Sequence, residues 1–281
     1  MNTENKTTIS ASIVGGIGDI IFGLDGFREL KSSNSNIITK CYLCSHAEEG
    51  LELVRANPYV DNIRNIPFKY NLEHFGVLKD KTNKDINYVG EAKNFCYNIN
   101  PEIYIPNQIS KKINKLITKK TIIIHMRGSG FSRFFLGEKR KVSTKELDLH
   151  FWQELIKKIN YQNTDIIFLG NNDDKETLCE IERLNLNHTR FYAGTLPLLE
   201  SIELIKRSNI VIGVDSFAKS VSLACKIPTI VFVNNHEDKF RDETFLNPYK
   251  TQHYCKIIHD ANLINETILI HETIEFVERF L

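Results

Sequence analysis

The feature that most constrains this fold is a repeated order of segments. β-rich apolar runs end at glycine or aspartate and give way at once to runs with helical spacing, in both halves of the chain. Thr8–Val14 reads as a strand that stops at Gly15, Gly16 and Gly18, and apolar residues at 20, 21, 24, 27 and 30 then keep a helical period. Asn36–Cys44 is a second strand, "SHAEEGLELVRANP" a helix stopped by Pro58, and "YVDNIRNIPF" a third strand region. The pattern restarts with the strands "KTIIIHMRGSG", "TDIIFLGNNDD", "RFYAG", "NIVIGVDS" and "PTIVFVNN". Between and after them lie helical stretches: "STKELDLHFWQELIKKI", with Ser143 or Thr144 as its cap, "DKETLCEIERL", "LPLLESIELIKRS", "FAKSVSLACK" and "NETILIHETIEFVERFL". Alternation of this kind demands parallel sheets, so the expected fold is α/β with two Rossmann-like, doubly wound domains.

A length of 281 residues suits two such domains. Residues 71–100 are polar and poorly periodic, and "PEIYIPNQISKKINKLITKK" looks like a linker, which places the boundary near 106–120. The expected domains are 1–115 and 116–281, with the last helix as a candidate to pack back on the first. With 36 basic and 35 acidic residues, net charge is +1, and nothing calls for a nucleic-acid partner. No apolar run reaches the ~18 residues of a membrane span, and "MNTENKTTIS" lacks a secretory pattern, so a cytoplasmic protein is expected. Cys41 and Cys44 form a lone C-x-x-C inside a strand, which favours a structural reading over redox or metal chemistry.

Three stretches carry candidate chemistry. In "SIVGGIGDIIFGL", Gly16 and Gly18 fit the start of a dinucleotide fingerprint, but Ile21 stands at the third glycine's place. The second strand, "KCYLCSH", ends without the carboxylate a ribose would need, which weighs against a nucleotide-dependent oxidoreductase. What remains is a glycine turn that permits close approach, with Asp19 in the first turn of a helix, either as a cap or as a group facing a ligand. In "IVIGVDSFAKS", a strand ends at Asp215, and the amides of Ser216, Phe217 and Ala218 begin a helix suited to an anion, beside Lys219 and Ser220. In "HMRGSGFSRFFLGEKRK", Arg127, Arg133, Lys139, Arg140 and Lys141 gather around a glycine turn. Asp173, Asp174 and Glu176 end the next strand, where they either take ribose hydroxyls or favour a helix start.

These segments, in this order, resemble glycosyltransferase family 9, the heptosyltransferases of the lipopolysaccharide core. "GGIGDII", "LVRANPYVDNI", "FWQELIKKI…DIIFLGNNDDKE" and "YAGTLPLLESIELIKRSNIVIGVDSFAKSVSLACKIPTIVF" each look like that family's signature segments. The resemblance implies a GT-B arrangement, two Rossmann-like domains facing across a cleft. It also implies an inverting, metal-independent transfer of heptose or another hexose-type sugar from a nucleotide diphosphate donor to a surface-glycan or lipopolysaccharide-core acceptor. Asp19 would be the general base. The turn with Gly16 and Gly18, the segment Asp215–Ser220, Arg127 and Arg133 would serve the donor, with Asp174 or Glu176 on its ribose. No cofactor or metal is implied, and the absence of any D-x-D triplet agrees. Where the family commonly has a glycine-rich stretch and a histidine in the donor helix, this chain has "SFAKS", with Ser220 at the histidine's place, so Lys219 becomes the expected phosphate contact. A lipid-linked acceptor implies peripheral contact with the inner membrane, for which "KKINKLITKK" and "SRFFLGEKRK" carry basic residues beside apolar ones. A catalytically inactive nucleotide-sugar-binding module is the remaining rival.

Overall fold

The computed structural model describes residues 7–33, 35–45, 49–66, 86–91 (backbone only), 102–128, 147–159, 164–233 and 254–281. Its contacts divide the chain after Pro106 into two compact units, Met1–Pro106 and Asn107–Leu281.

The first unit contains β1 (Thr7–Gly15), α1 (Ile17–Ser33), β2 (Ile37–Ser45), α2 (Gly50–Ala56), β3 (Asn62–Asn65) and β4 (Ile86–Glu91). The strands form one sheet in the order β3-β2-β1-β4, parallel throughout. Small and β-branched side chains let β1 run buried through the middle of this sheet. Pairing of Gly15 with Ser45 brings β1 and β2 to the same edge, and Ser45 Oγ donates to the Gly15 carbonyl at 2.7 Å. The "NPYVD" segment leads into β3 by a side-chain turn in which Tyr59 N–H donates to Asn57 Oδ1 at 2.9 Å. Asp61 then fastens the segment down, accepting from Thr39 N–H at 2.8 Å and from Lys31 Nζ at 2.6 Å.

The second unit contains α3 (Asn107–Asn114), β5 (Lys120–His125), α4 (Leu149–Ile159), β6 (Thr164–Phe168), α5 (Lys175–Glu182), β7 (Thr189–Phe191), α6 (Leu198–Lys206), β8 (Ile210–Val214), α7 (Phe217–Ala224), β9 (Thr229–Val233), β10 (Cys255–His259) and α8 (Glu266–Phe280). Its sheet runs β10-β9-β8-β5-β6-β7, parallel wherever paired. The chain therefore works outward from β5 through β6 to β7, then returns to β5's other side with β8 and works outward again. Near-continuous apolar strands and the inner stripes of α4 and α8 form one core around Ile122, Ile124, Trp152, Leu155, Phe168, Phe232, Phe276 and Val277. Trp152 is the chain's one tryptophan, and its ring meets those of Phe151 and Phe232 at 5.2 and 5.7 Å. The basic helix α3 is docked on α6 by buried Ile113 and by Lys112, whose Nζ lies 2.6 Å from Glu200 Oε1.

The elements read from sequence recur with small shifts at their ends. Two strands were not anticipated, β4 and β10. The cap of α4 is Asp148, whose carboxylate accepts the His150 N–H at 2.8 Å, while Ser143 and Thr144 lie outside the described residues.

Candidate active site

The turn after β1 is built around Asp19. The Asp19 carboxylate reaches back three residues and accepts the Gly16 N–H at 2.9 Å, as the acidic member of a capping box does. Gly15 has φ +123°, a conformation that L side chains rarely adopt, and a Cβ there would run into the Asp19 carboxylate. Two glycines thus make a cradle that fixes a half-buried carboxylate at the carboxyl edge of the sheet, with Gly18 in the first turn of α1. The capping role expected of Asp19 is present, and the cap holds its carboxylate in one orientation.

In the second unit, the order in which successive strands are added reverses between β5 and β8. In open α/β sheets, ligands bind outside the carboxyl ends of the strands at such a switch point. Here that place is formed by His125 at the end of β5, Met126 and Arg127 after it, and by Asp215, Ser216 and Phe217 after β8. His125 pairs with Gly213 in the ladder, and a Cβ on Gly213 would collide with the His125 carbonyl, so the two strands approach closely at their ends. Ser216 is the extended N-cap residue of α7, with its Oγ buried and without a hydrogen-bond partner. The amides that follow it open α7, where an anion is favoured by both the orphan donors and the helix dipole.

Lys219 lies in the first turn of α7, but its ammonium is buried against Asp215, with Nζ 2.7 Å from Oδ1 and side-chain exposures of 6% and 8%. The pair ties the end of β8 to the start of α7. Phe217 packs edge-on against the His125 ring at 5.0 Å and 89°. No motif in the sequence singles out His125. It is 5% exposed, its Nδ1 has no hydrogen-bond partner, and burial lowers its pKa to about 4, so the imidazole is neutral at ordinary pH. The signal that could have found it is its position as the last residue of a buried strand that ends at a glycine turn.

Beside this switch point the cradle geometry recurs. Asp174 Oδ2 accepts the Asn171 N–H at 2.6 Å, and a Cβ on Gly170 would lie 2.6 Å from that oxygen. Asp174 Oδ1 sits 3.6 Å from Arg127 Nε. Glu176 is exposed in the first turn of α5. Ser220 and Ala218 lie on α7 as expected, Ala218 buried. Arg133, Lys139, Arg140 and Lys141 are outside the described residues, as is the side chain of Asp173.

Cys41 and Cys44 are buried in β2, and burial pushes both thiols up, so neither is poised as a thiolate. Among the described residues, no three His, Cys, Asp or Glu side chains gather as a metal site would require. Nor is any helix among them long and apolar enough to cross a membrane.

The family model of glycosyltransferase family 9 (heptosyltransferase) matches residues 132–263, a span that takes in Asp174, Glu176 and the whole segment Asp215–Ser220. The matched segment, which lies wholly in the second unit, is thus similar to the family 9 glycosyltransferases. Solved structures agree on the fold of this glycosyltransferase. The family 9 glycosyl transferase from Veillonella parvula DSM 2008 superposes with a TM-score of 0.72 at 12% identity, covering 100% of this chain and 98% of that one. Escherichia coli ADP-heptose lps heptosyltransferase II gives 0.68 at 12% identity, with 97% and 99% covered. E. coli heptosyltransferase WaaC with ADP gives 0.63 at 11%, with 98% and 100% covered. The two parallel-sheet units are thus those of the GT-B fold. No curated protein sequence matches the chain.

Proposed function

We propose that this glycosyltransferase moves a heptose or hexose-type sugar from a nucleotide diphosphate donor to a surface-glycan or lipopolysaccharide-core hydroxyl, with inversion and without a metal. The observation that supports this most is the β5–β8 switch point, where the start of α7 and Arg127 converge on one strand edge. In WaaC, a protein of like fold, ADP is bound. Here the donor's diphosphate sits at the amides of Ser216, Phe217 and Ala218, with Arg127 beside it. Lys219, paired with Asp215, holds the helix start in place.

Asp19 takes the proton of the acceptor hydroxyl while its oxygen bonds to the anomeric carbon. The bond from that carbon to the diphosphate oxygen breaks on the opposite side. The leaving diphosphate gains negative charge, which fixed amides and a guanidinium stabilise without reorganising. Asp19 suits the role because its orientation is set by Gly16. Contact of the basic segments with an anionic membrane surface would bring a lipid-linked acceptor to the enzyme, and sedimentation with anionic liposomes at low salt tests this.

The deciding variant is Asp19→Asn, whose Oδ1 still accepts the Gly16 N–H. With a donor found by thermal-shift screening of nucleotide sugars, turnover should fall by ~10²–10⁴-fold while melting temperature and donor affinity hold. Near-normal turnover moves the base elsewhere. Transfer should also persist in excess EDTA, and activity lost to the chelator and restored by magnesium or manganese overturns the metal-free mechanism.

A further inference from the structure

We infer that Asp174 is a positioning residue, whose carboxylate aims the Arg127 guanidinium at the donor's diphosphate instead of holding the donor's ribose. This rests on the donor site proposed above.

The carboxylate is held from two sides. Its Oδ2 receives the Asn171 N–H at 2.6 Å, in a cradle that only glycine at 170 leaves open. Its Oδ1 faces Arg127 Nε at 3.6 Å. Asp174 is 8% exposed, and the Arg127 side chain 19%. A ribose grip needs a carboxylate that presents its oxygens outward, and this one turns one oxygen to the main chain and the other to a cation. The exposed Glu176, two residues on, is the better placed group for hydroxyls. Arg127 stands two residues past the end of β5, at the switch point, so the restraint acts where the diphosphate would lie. An arginine side chain loses rotamer freedom when it is fixed, and a carboxylate held against it removes part of that cost before the ligand arrives. The fork of a guanidinium pairs with phosphate oxygens two at a time, so its orientation affects affinity. The same cradle in the first unit, Gly15-Gly16-x-x-Asp19, shows that this chain uses the device to fix a carboxylate's direction.

The test uses the full chain, ADP as probe and isothermal titration calorimetry. Wild type should bind ADP. Asp174→Asn, whose Oδ1 can still accept the Asn171 N–H, should bind about tenfold more weakly. Arg127→Ala should lose at least as much, and the double variant should be no weaker than Arg127→Ala alone. 2′-Deoxy-ADP should be disfavoured to the same degree by wild type and by Asp174→Asn. Unchanged ADP affinity in Asp174→Asn overturns the inference. So does a loss that persists in full in the Arg127→Ala background, or discrimination against 2′-deoxy-ADP that vanishes with Asp174→Asn, because each returns Asp174 to direct ligand contact or to none. If Asp174→Asn melts early, Arg127→Ala, which leaves the cradle intact, carries the test, and unchanged affinity there is equally fatal. A wild type that binds none of ADP, UDP, GDP and CDP fails at the donor site itself, which separates the two failures.

Discussion

Asp19 caps α1, and the bond that does so also fixes the direction of the carboxylate proposed as the base. Lys219 shows the opposite case, a cation that sequence offers to a phosphate and the fold gives to Asp215. Lys219→Ala should therefore act first on stability, because it removes one member of a buried ion pair at a cost of roughly 3 kcal/mol, read as a lowered denaturant midpoint. His125 makes a prediction in acid. Its folded pKa, about 4, lies below the ordinary 6.5, so between those values the unfolded chain binds the extra proton. Stability should be full above pH 6.5, fall as pH drops toward 4 and level off below. Thermal melts of His125→Phe across that window should be flatter than those of wild type. At this scale the chemical types were legible: glycines, Asp19 and Asp215 stand at strand ends in the sequence itself. The partners were not. The Asp174–Arg127 pair depends on β5 and β6 becoming neighbours, which no spacing along the chain encodes, while the Asp215–Lys219 pair is only four residues apart and needs the strand-to-helix turn to bring its two ends together.

Among elements, the parallel strands of the second unit were the most legible, because a strand buried on both faces is a short unbroken apolar run. β4, "INYVGE", and β10, "CKIIH", were missed for want of that contrast: they are short and partly polar, and each takes its place by pairing with a strand already formed. The helix α3 sits in a stretch that reads as a linker, yet Ile113 and Lys112 dock it on α6. In the first unit, Asp61 joins three elements through Lys31 and Thr39. Burial alone would raise its pKa, but these bonds outweigh burial and hold it below 3.8. A carboxylate with a lowered folded pKa stabilises above its unfolded value, and the contribution is lost as pH falls through the folded one. Asp61→Asn should cost about 1 kcal/mol at neutral pH, the worth of a typical hydrogen bond. It should also remove part of the melting-temperature loss seen by circular dichroism below pH 4.

For the whole molecule, alternation and the right-handed crossover rule made two doubly wound units legible, while the strand order, and with it the switch point, came only from the structure. Trp152 offers a direct reading of the second unit, since its ring lies in that unit's core beside Phe232. Phe232→Ala should cost about 3–5 kcal/mol and shift the midpoint of tryptophan emission to lower denaturant. The two cradles, one in each unit, also differ in what holds their glycines. Gly15 is required twice, by its positive φ and by the carboxylate above it, whereas Gly170 is required by Asp174 alone. In evolutionary terms, the first glycine should persist even in lineages that lose the aspartate, while Gly170 and Asp174 are free to drift as a pair. An alignment of related chains would then show Gly15 as a fixed point and the Gly170–Asp174 couple as one heritable unit.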